Sequence, residues 1–271
     1  MEINTYEELE FYIRMFKDNN CDILIICSDA GLGKSSIVSD VMADTRHLMI
    51  NSHASPMSLY IAGYEHLDEP IIFQDCDGLL YNNDNIALLK QFTETRETKR
   101  ISWLTTSGSL GENIPNSYDT RSRCLIETNN LDYLAKKLLP LKDRGWLIHF
   151  RPTKDEIVNR IDKIRKYYGS YGNDEVFQLI SRMANYADTI SLRTFIKGLG
   201  LFKQCKGKDW EHRLMKEMNI NPKLRIMNTL ISTCQDDSER LTKWKQEGFG
   251  RTSYFEYKRL LSPPVRPLLK N

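Results

Sequence analysis

Residues 21–43 read in order as a buried strand, a glycine-bearing loop and an amphipathic helix, and no other feature restricts the possible folds as tightly. CDILIIC, residues 21–27, is apolar and β-rich without alternation, which suits a strand covered on both faces. SDAGLG follows, and the stretch from Ser35 to Ala43 then puts Ile37, Val38, Val41 and Met42 on one helical face. The chain keeps this rhythm to residue 150. Residues 6–17 read as a helix with Leu9, Tyr12, Ile13 and Phe16 on one side, HLMIN (47–51) as a second strand and 56–64 as a helix. PIIFQD (70–75) reads as a third strand, 85–95 as a helix, RISWLTTS (100–107) as a fourth strand and CLIET (124–128) as a fifth. A helix near 131–139 leads to GWLIHF (145–150), a sixth or edge strand. Strands spaced by helices imply an α/β fold with a parallel sheet covered on both faces.

After Pro152 the pattern turns all-helical, with segments at 154–167, 174–186, 191–202 and 210–218. A third piece from about Pro222 reads as helices ending in a Pro-rich tail. The expected division is therefore 1–151, an α/β domain; 152–220, a helical lid; and 221–271, a small helical segment. A length of 271 residues fits two compact parts, or one with an appendage, and 41% apolar with 27% charged residues fits a globular protein with a core. No apolar run reaches membrane-spanning length, and the start lacks the basic and apolar regions of a secretory signal, so a cytoplasmic protein without membrane contact is expected. The six cysteines lie far apart with no CxxC pair, which predicts reduced thiols and argues against a zinc site.

The loop itself, CSDAGLGKSS, nearly matches the phosphate-binding pattern G-x-x-x-x-G-K-[ST]. Gly33, Lys34 and Ser35 supply its second half, and Ser28 replaces the first glycine. Backbone N–H groups from Ser28 through Gly31, Leu32 and Gly33 to Ser36, at a helix N-terminus, suit phosphate oxygens. Lys34 would reach the β and γ phosphates and Ser35 would ligate magnesium, so ATP and Mg2+ are the expected cofactors. Ser28 can stand at the first position if its φ is negative. A carboxylate should end a neighbouring apolar strand, and PIIFQDCDGLL offers Asp75 and Asp77 to hold the metal or orient the attacking water.

With these motifs in place the chain resembles the AAA+ P-loop ATPases over about residues 1–205. The family's second motif runs apolar strand, Asp-Glu, apolar, Asp. In one register Gln74 falls on the metal Asp, Asp75 on the catalytic Glu and Asp77 on the trailing Asp. In the other, Asp75 is the metal Asp and Cys76 replaces the Glu. The first keeps the trailing Asp77 and is preferred. The resemblance further implies a γ-phosphate sensor at Ser107 or Thr106, and an arginine acting on the neighbouring subunit's nucleotide at Arg123, with Arg121 second. It also implies a lid arginine at Arg193, in SLRTFIKG. A trans-acting arginine implies a homo-oligomer. HASPMSLYIAGYEHLDEPIIFQD looks most like small ATPases of plasmids, phages and other mobile elements.

Residues 221–271 hold ten Lys and Arg against five Asp and Glu, a net +5 that leaves the rest of the chain at −3. LTKWKQEGFGRTSYFEYKRLL reads as two helices about a Gly-Phe-Gly turn, the length and punctuation of a helix-turn-helix. Arg251, Thr252 and Ser253 would open the second helix and Tyr254, Tyr257, Lys258 and Arg259 continue it, making DNA the expected partner. A basic helical hairpin that packs on the lid or on another subunit is the plainer reading of the same residues. The function implied is an ATPase acting on DNA in replication initiation, helicase loading or transposition, with a helicase or transposase as a possible protein partner. The alternative is a nucleotide-dependent assembly switch with weak hydrolysis.

Overall fold

Six short strands that are buried or half-buried along most of their length line up parallel in the order β1-β8-β2-β7-β4-β3. They are β1 (Glu2–Ile3), β2 (Ile23–Cys27), β3 (Leu48–Asn51), β4 (Ile71–Gln74), β7 (Cys124–Thr128) and β8 (Trp146–Phe150). The remaining two, β5 (Lys99–Ser102) and β6 (Ser117–Thr120), form a separate antiparallel pair. The structure is a computed structural model and describes residues 1–51, 53–76, 78, 81–103, 113–129, 141–205 and 209–261. Asp77, Thr106, Ser107, the expected helix at 131–139 and the Pro-rich tail lie outside the described residues.

Burial explains the strand order. All five residues of β2 and of β7 are buried, so each needs a strand on both sides and helices on both faces. β2 lies between β7 and β8, and β7 between β2 and β4, with Ile26 beside Glu127 and Phe73 beside Ile126. The expected parallel α/β sheet is therefore present, but two strands differ in place. RISW leaves the sheet for the β5–β6 hairpin because it alternates, Lys99 and Ile101 buried and Arg100 exposed against Asp119 across the pair. CLIET lies at the centre of the sheet, next to the loop strand. β8 is interior, with β1 beyond it at the edge.

The helices of this part are α1 (Tyr6–Lys17), α2 (Lys34–Met42), α3 (Pro56–Glu65) and α4 (Asn83–Phe92). Each starts where its sequence supplies a stop for the first N–H groups, apart from α2. Thr5 and Glu8 form a capping box on α1, Ser55 caps α3 with Pro56 in its first turn, and Asn82 caps α4. Gly33 caps α2 with no side chain at all.

The chain divides into two compact units, Met1–Glu156 and Ile157–Asn271, a few residues past the expected boundary. Beyond β8 the described residues form helices and turns but no strand. They are α5 (Lys154–Arg165), which crosses the division, α6 (Asn173–Met183), α7 (Leu192–Gln204), α8 (Trp210–Glu217), α9 (Pro222–Thr233), α10 (Asp237–Gln246) and α11 (Arg251–Leu261). The last three share a small core of Met227, Leu230, Cys234, Trp244 and Tyr254, and α9 also packs on α8. The expected third piece thus belongs to the second unit. No described helix is long and apolar enough to cross a membrane. All six cysteines are free thiols.

Candidate functional site

Because the strands are parallel, the loops after Cys27, Gln74 and Thr128 leave the same edge of the sheet. That edge of an open α/β sheet, beside the strand where the order reverses, is where ligands bind. The loop after β2 turns through Gly31 and Gly33 at φ +82° and +85°, a left-handed backbone that side chains resist. Ser28 keeps φ out of that region, which meets the condition for a residue with a Cβ at the first position of the pattern. It is buried, and its N–H donates to the Thr128 carbonyl at 3.3 Å, tying the loop to β7. Leu32 is buried too, and its carbonyl accepts from the Tyr6 hydroxyl at 3.1 Å.

The first helical bond of α2 runs from the Ile37 N–H to the Gly33 carbonyl. The amides of Lys34, Ser35 and Ser36 therefore belong to the uncapped first turn, where N–H groups and the helix dipole favour an anion. Lys34 is only 7% exposed. Its ammonium donates to the Ser28 carbonyl at 2.9 Å, the Asp29 carbonyl at 3.4 Å and Asn129 Oδ1 at 2.8 Å. Burial pulls its pKa down, while Glu127, Asp75 and Asp29 nearby favour the charged form. Ser35 donates its hydroxyl proton to Glu127 Oε2 at 2.6 Å, and Gln74 Nε2 donates to Glu127 Oε1 at 2.9 Å. Burial raises the pKa of Glu127, and these two hydrogen bonds and Lys34 oppose that shift.

Lys34, Ser35, Gln74 and the loop glycines therefore come together where the motif places them. Asp75 ends β4 at the same edge, exposed, with a left-handed φ of +50° that an Asp tolerates better than most residues. Glu127 and Asn129 escape the sequence reading, which recognises CLIET as a strand without setting its place in the sheet. A signal for Glu127 is nevertheless present, since a lone charge inside a continuous apolar strand needs partners.

Arg123 departs from expectation. It precedes β7, at the end of the strand opposite the loop, and is 9% exposed. Its Nε donates to the Phe16 carbonyl at 2.8 Å and Nη2 to the Lys17 carbonyl at 2.7 Å, with the guanidinium 5.2 Å from the Phe16 ring centroid. The side chain closes the C-terminus of α1 in its own chain, which leaves no exposed guanidinium to reach a neighbour. Arg121, two residues earlier, is exposed, 3.8 Å from Glu97. Arg193 is exposed in the first turn of α7.

In the C-terminal helices the expected DNA face separates into two sets. Tyr254 is 1% exposed in the small core, its hydroxyl donating to Asp237 Oδ1 at 3.1 Å, and burial pushes its pKa up to about 12. Lys258 pairs with Asp237, and Ser253 donates to the Gly250 carbonyl at 2.8 Å and accepts from Trp244 Nε1 at 3.3 Å. These three hold α11 to α10. Arg251, Thr252 and Arg259 are exposed. The Gly-Phe-Gly turn is present, with Gly248 at φ +85° and the Phe249 ring tilted against Trp244 at 4.7 Å between centroids.

No family model matches the chain, and no curated protein matches it. Among solved structures it is similar to a RuvB variant of Thermotoga maritima, at 12% identity over 93% of this chain and 85% of that one, with a TM-score of 0.49. It is similar to a Walker-type ATPase of Pyrococcus abyssi, at 12% identity over 96% and 90%, with a TM-score of 0.47. A third similarity is to the DNA clamp loader delta protein of Bacillus subtilis, at 12% identity over 93% and 88%, with a TM-score of 0.38. The fold itself, a parallel sheet with a glycine-bearing loop between its switch-point strand and a helix, rests on the strand order and the loop geometry above.

Proposed function

We propose that this chain is an AAA+-type ATPase that binds ATP with magnesium at the Ser28–Ser36 loop and acts on DNA. One observation carries the reading. The left-handed glycines, the uncapped start of α2, Lys34 and the Ser35–Glu127 pair all meet at one sheet edge. Uncapped amides and the Lys34 ammonium suit phosphate oxygens, and the Ser35 hydroxyl with a carboxylate makes the hard-oxygen set that magnesium takes. Held by Ser35 and the Glu127 carboxylate, such an ion would supply positive charge to offset that of the phosphoryl oxygens. The loop amides orient the phosphates, and Lys34 stabilises the charge that builds on the leaving side. Asp75, exposed at the end of β4, orients the attacking water and takes its proton. Asp77 and Ser107 complete the acidic and sensing groups in this proposal, and Arg193 supplies the lid cation. The exposed Arg121 replaces Arg123 as the cation offered to a neighbouring subunit in a homo-oligomer. The C-terminal helices supply the DNA contact through Arg251, Thr252 and Arg259. Replication, helicase loading or transposition in a mobile element, with a helicase or transposase as protein partner, is the matching task.

Gln74 favours a second reading. A neutral amide stands at the strand end where a metal carboxylate is expected, which suits a nucleotide-dependent switch that assembles on ATP and hydrolyses it slowly. ATP turnover measured with and without duplex DNA separates the two. The first predicts turnover that rises severalfold with DNA. The second predicts ATP-dependent assembly with turnover that DNA leaves unchanged.

A further inference from the structure

We propose that Glu127, on the strand beside the loop strand, is the carboxylate that holds the magnesium shell, and that Gln74 positions it. This deepens the nucleotide reading above and rests on it. β7 separates β2 from β4, so a carboxylate on β4 must reach past β7 to meet the Ser35 hydroxyl, whereas one on β7 starts next to it. Glu127 stands beside Ile26 and makes the 2.6 Å contact with Ser35, the residue whose hydroxyl ligates the metal in a phosphate loop. Gln74 sits one step beyond the Phe73–Ile126 pair, level with Glu127, and fixes its second oxygen from the other side.

The chemistry of the trio is complementary. A carboxylate at position 74 would stand within hydrogen-bond distance of Glu127 and repel it, so Glu127 calls for a neutral donor there, and Gln74 is one. Glu127 is 3% exposed, and a buried carboxylate with two neutral donors is incompletely compensated. The Lys34 ammonium gives its hydrogen bonds to Ser28, Asp29 and Asn129. A divalent cation beside Ser35 supplies the missing positive charge. Asp75, exposed and outside this trio, is then left for the water. The atypical strand end is thus a relocation of the acid by one strand, and the metal site is complete without an acid at position 74.

The test reads metal binding directly. Mn2+ affinity is measured by electron paramagnetic resonance on the full chain saturated with a non-hydrolysable β,γ-imido analogue of ATP. Affinity for the same analogue is measured in EDTA, alongside a melting curve in EDTA. Glu127→Gln is expected to weaken Mn2+ binding by about tenfold or more, as loss of a group supporting a metal shell does, with metal-free nucleotide affinity within about twofold of the parent. Asp75→Asn is expected to keep the parent Mn2+ affinity. Adding Gln74→Asp to Glu127→Gln returns a carboxylate from β4 and is expected to recover most of the loss. Parent-like Mn2+ affinity in Glu127→Gln, or the loss appearing in Asp75→Asn instead, overturns the assignment. If Glu127→Gln melts early, Gln74→Leu decides: weaker Mn2+ binding supports it and no change overturns it. A parent chain that binds the analogue neither with metal nor without it overturns the phosphate-loop reading, and this assignment with it.

Discussion

Arg123 gives both of its bonded nitrogens to the Phe16 and Lys17 carbonyls at the end of α1, where the helix supplies fewer N–H partners. A buried guanidinium in that position is a structural cap, and burial depresses its pKa. Arg123→Ala is expected to cost about 2–4 kcal/mol of stability, from two charge-assisted bonds and the packing on Phe16, seen in a denaturant titration. Nucleotide affinity should stay within about twofold of the parent where the variant is folded, because the loop lies at the opposite end of the strand. A variant of parent stability that loses only ATP turnover would return Arg123 to the trans-acting role. The contrast with Arg121 shows why one residue decides so much here, since two residues along a strand start change the side chain from exposed to buried.

At the scale of elements, α11 does two jobs with different residues. Tyr254, Ser253 and Lys258 bind it to α10, while Arg251 and Arg259 face solvent. Arg251→Ala with Arg259→Ala is expected to weaken duplex DNA binding and to lower the slope of log affinity against log salt by about 2, one for each phosphate that is no longer neutralised. Lys258→Ala should leave that slope unchanged. A double variant with parent affinity and slope would move DNA binding away from α11. Most elements are legible in the sequence because periodicity is local. The face of Leu9, Ile13 and Phe16, the unbroken run of β2 and the Gly-Phe-Gly turn each announce themselves within a dozen residues. Strand order is not legible, because it depends on which strands share a neighbour across the fold. CLIET and RISW both read as strands, and the burial of every residue of the first against the alternation of the second separates the sheet centre from the hairpin. The unread strand order hides Glu127 and Asn129, whereas Lys34 and Ser35 are visible because their spacing to Gly33 is fixed within one loop.

Across the whole molecule, the charge is unevenly spread. The C-terminal fifty or so residues carry the positive excess and the remainder a small negative one, so in the proposed function nucleotide binding would rest on a local cradle and DNA binding on a separate basic segment. The two activities should therefore respond differently to salt, with ATP affinity changing little over a range that strips DNA. The ATPase reading and the metal assignment both depend on the cradle, and one titration reaches it. ATP affinity of the full chain is compared with that of Lys34→Ala by calorimetry, with melting curves of both to verify folding. The removed ammonium makes charge-assisted bonds in a buried site, worth on the order of 3 kcal/mol, so the variant is expected to bind ATP about a hundredfold more weakly or not at all. Equal ATP affinity in the two proteins, both folded, would contradict the phosphate-loop assignment.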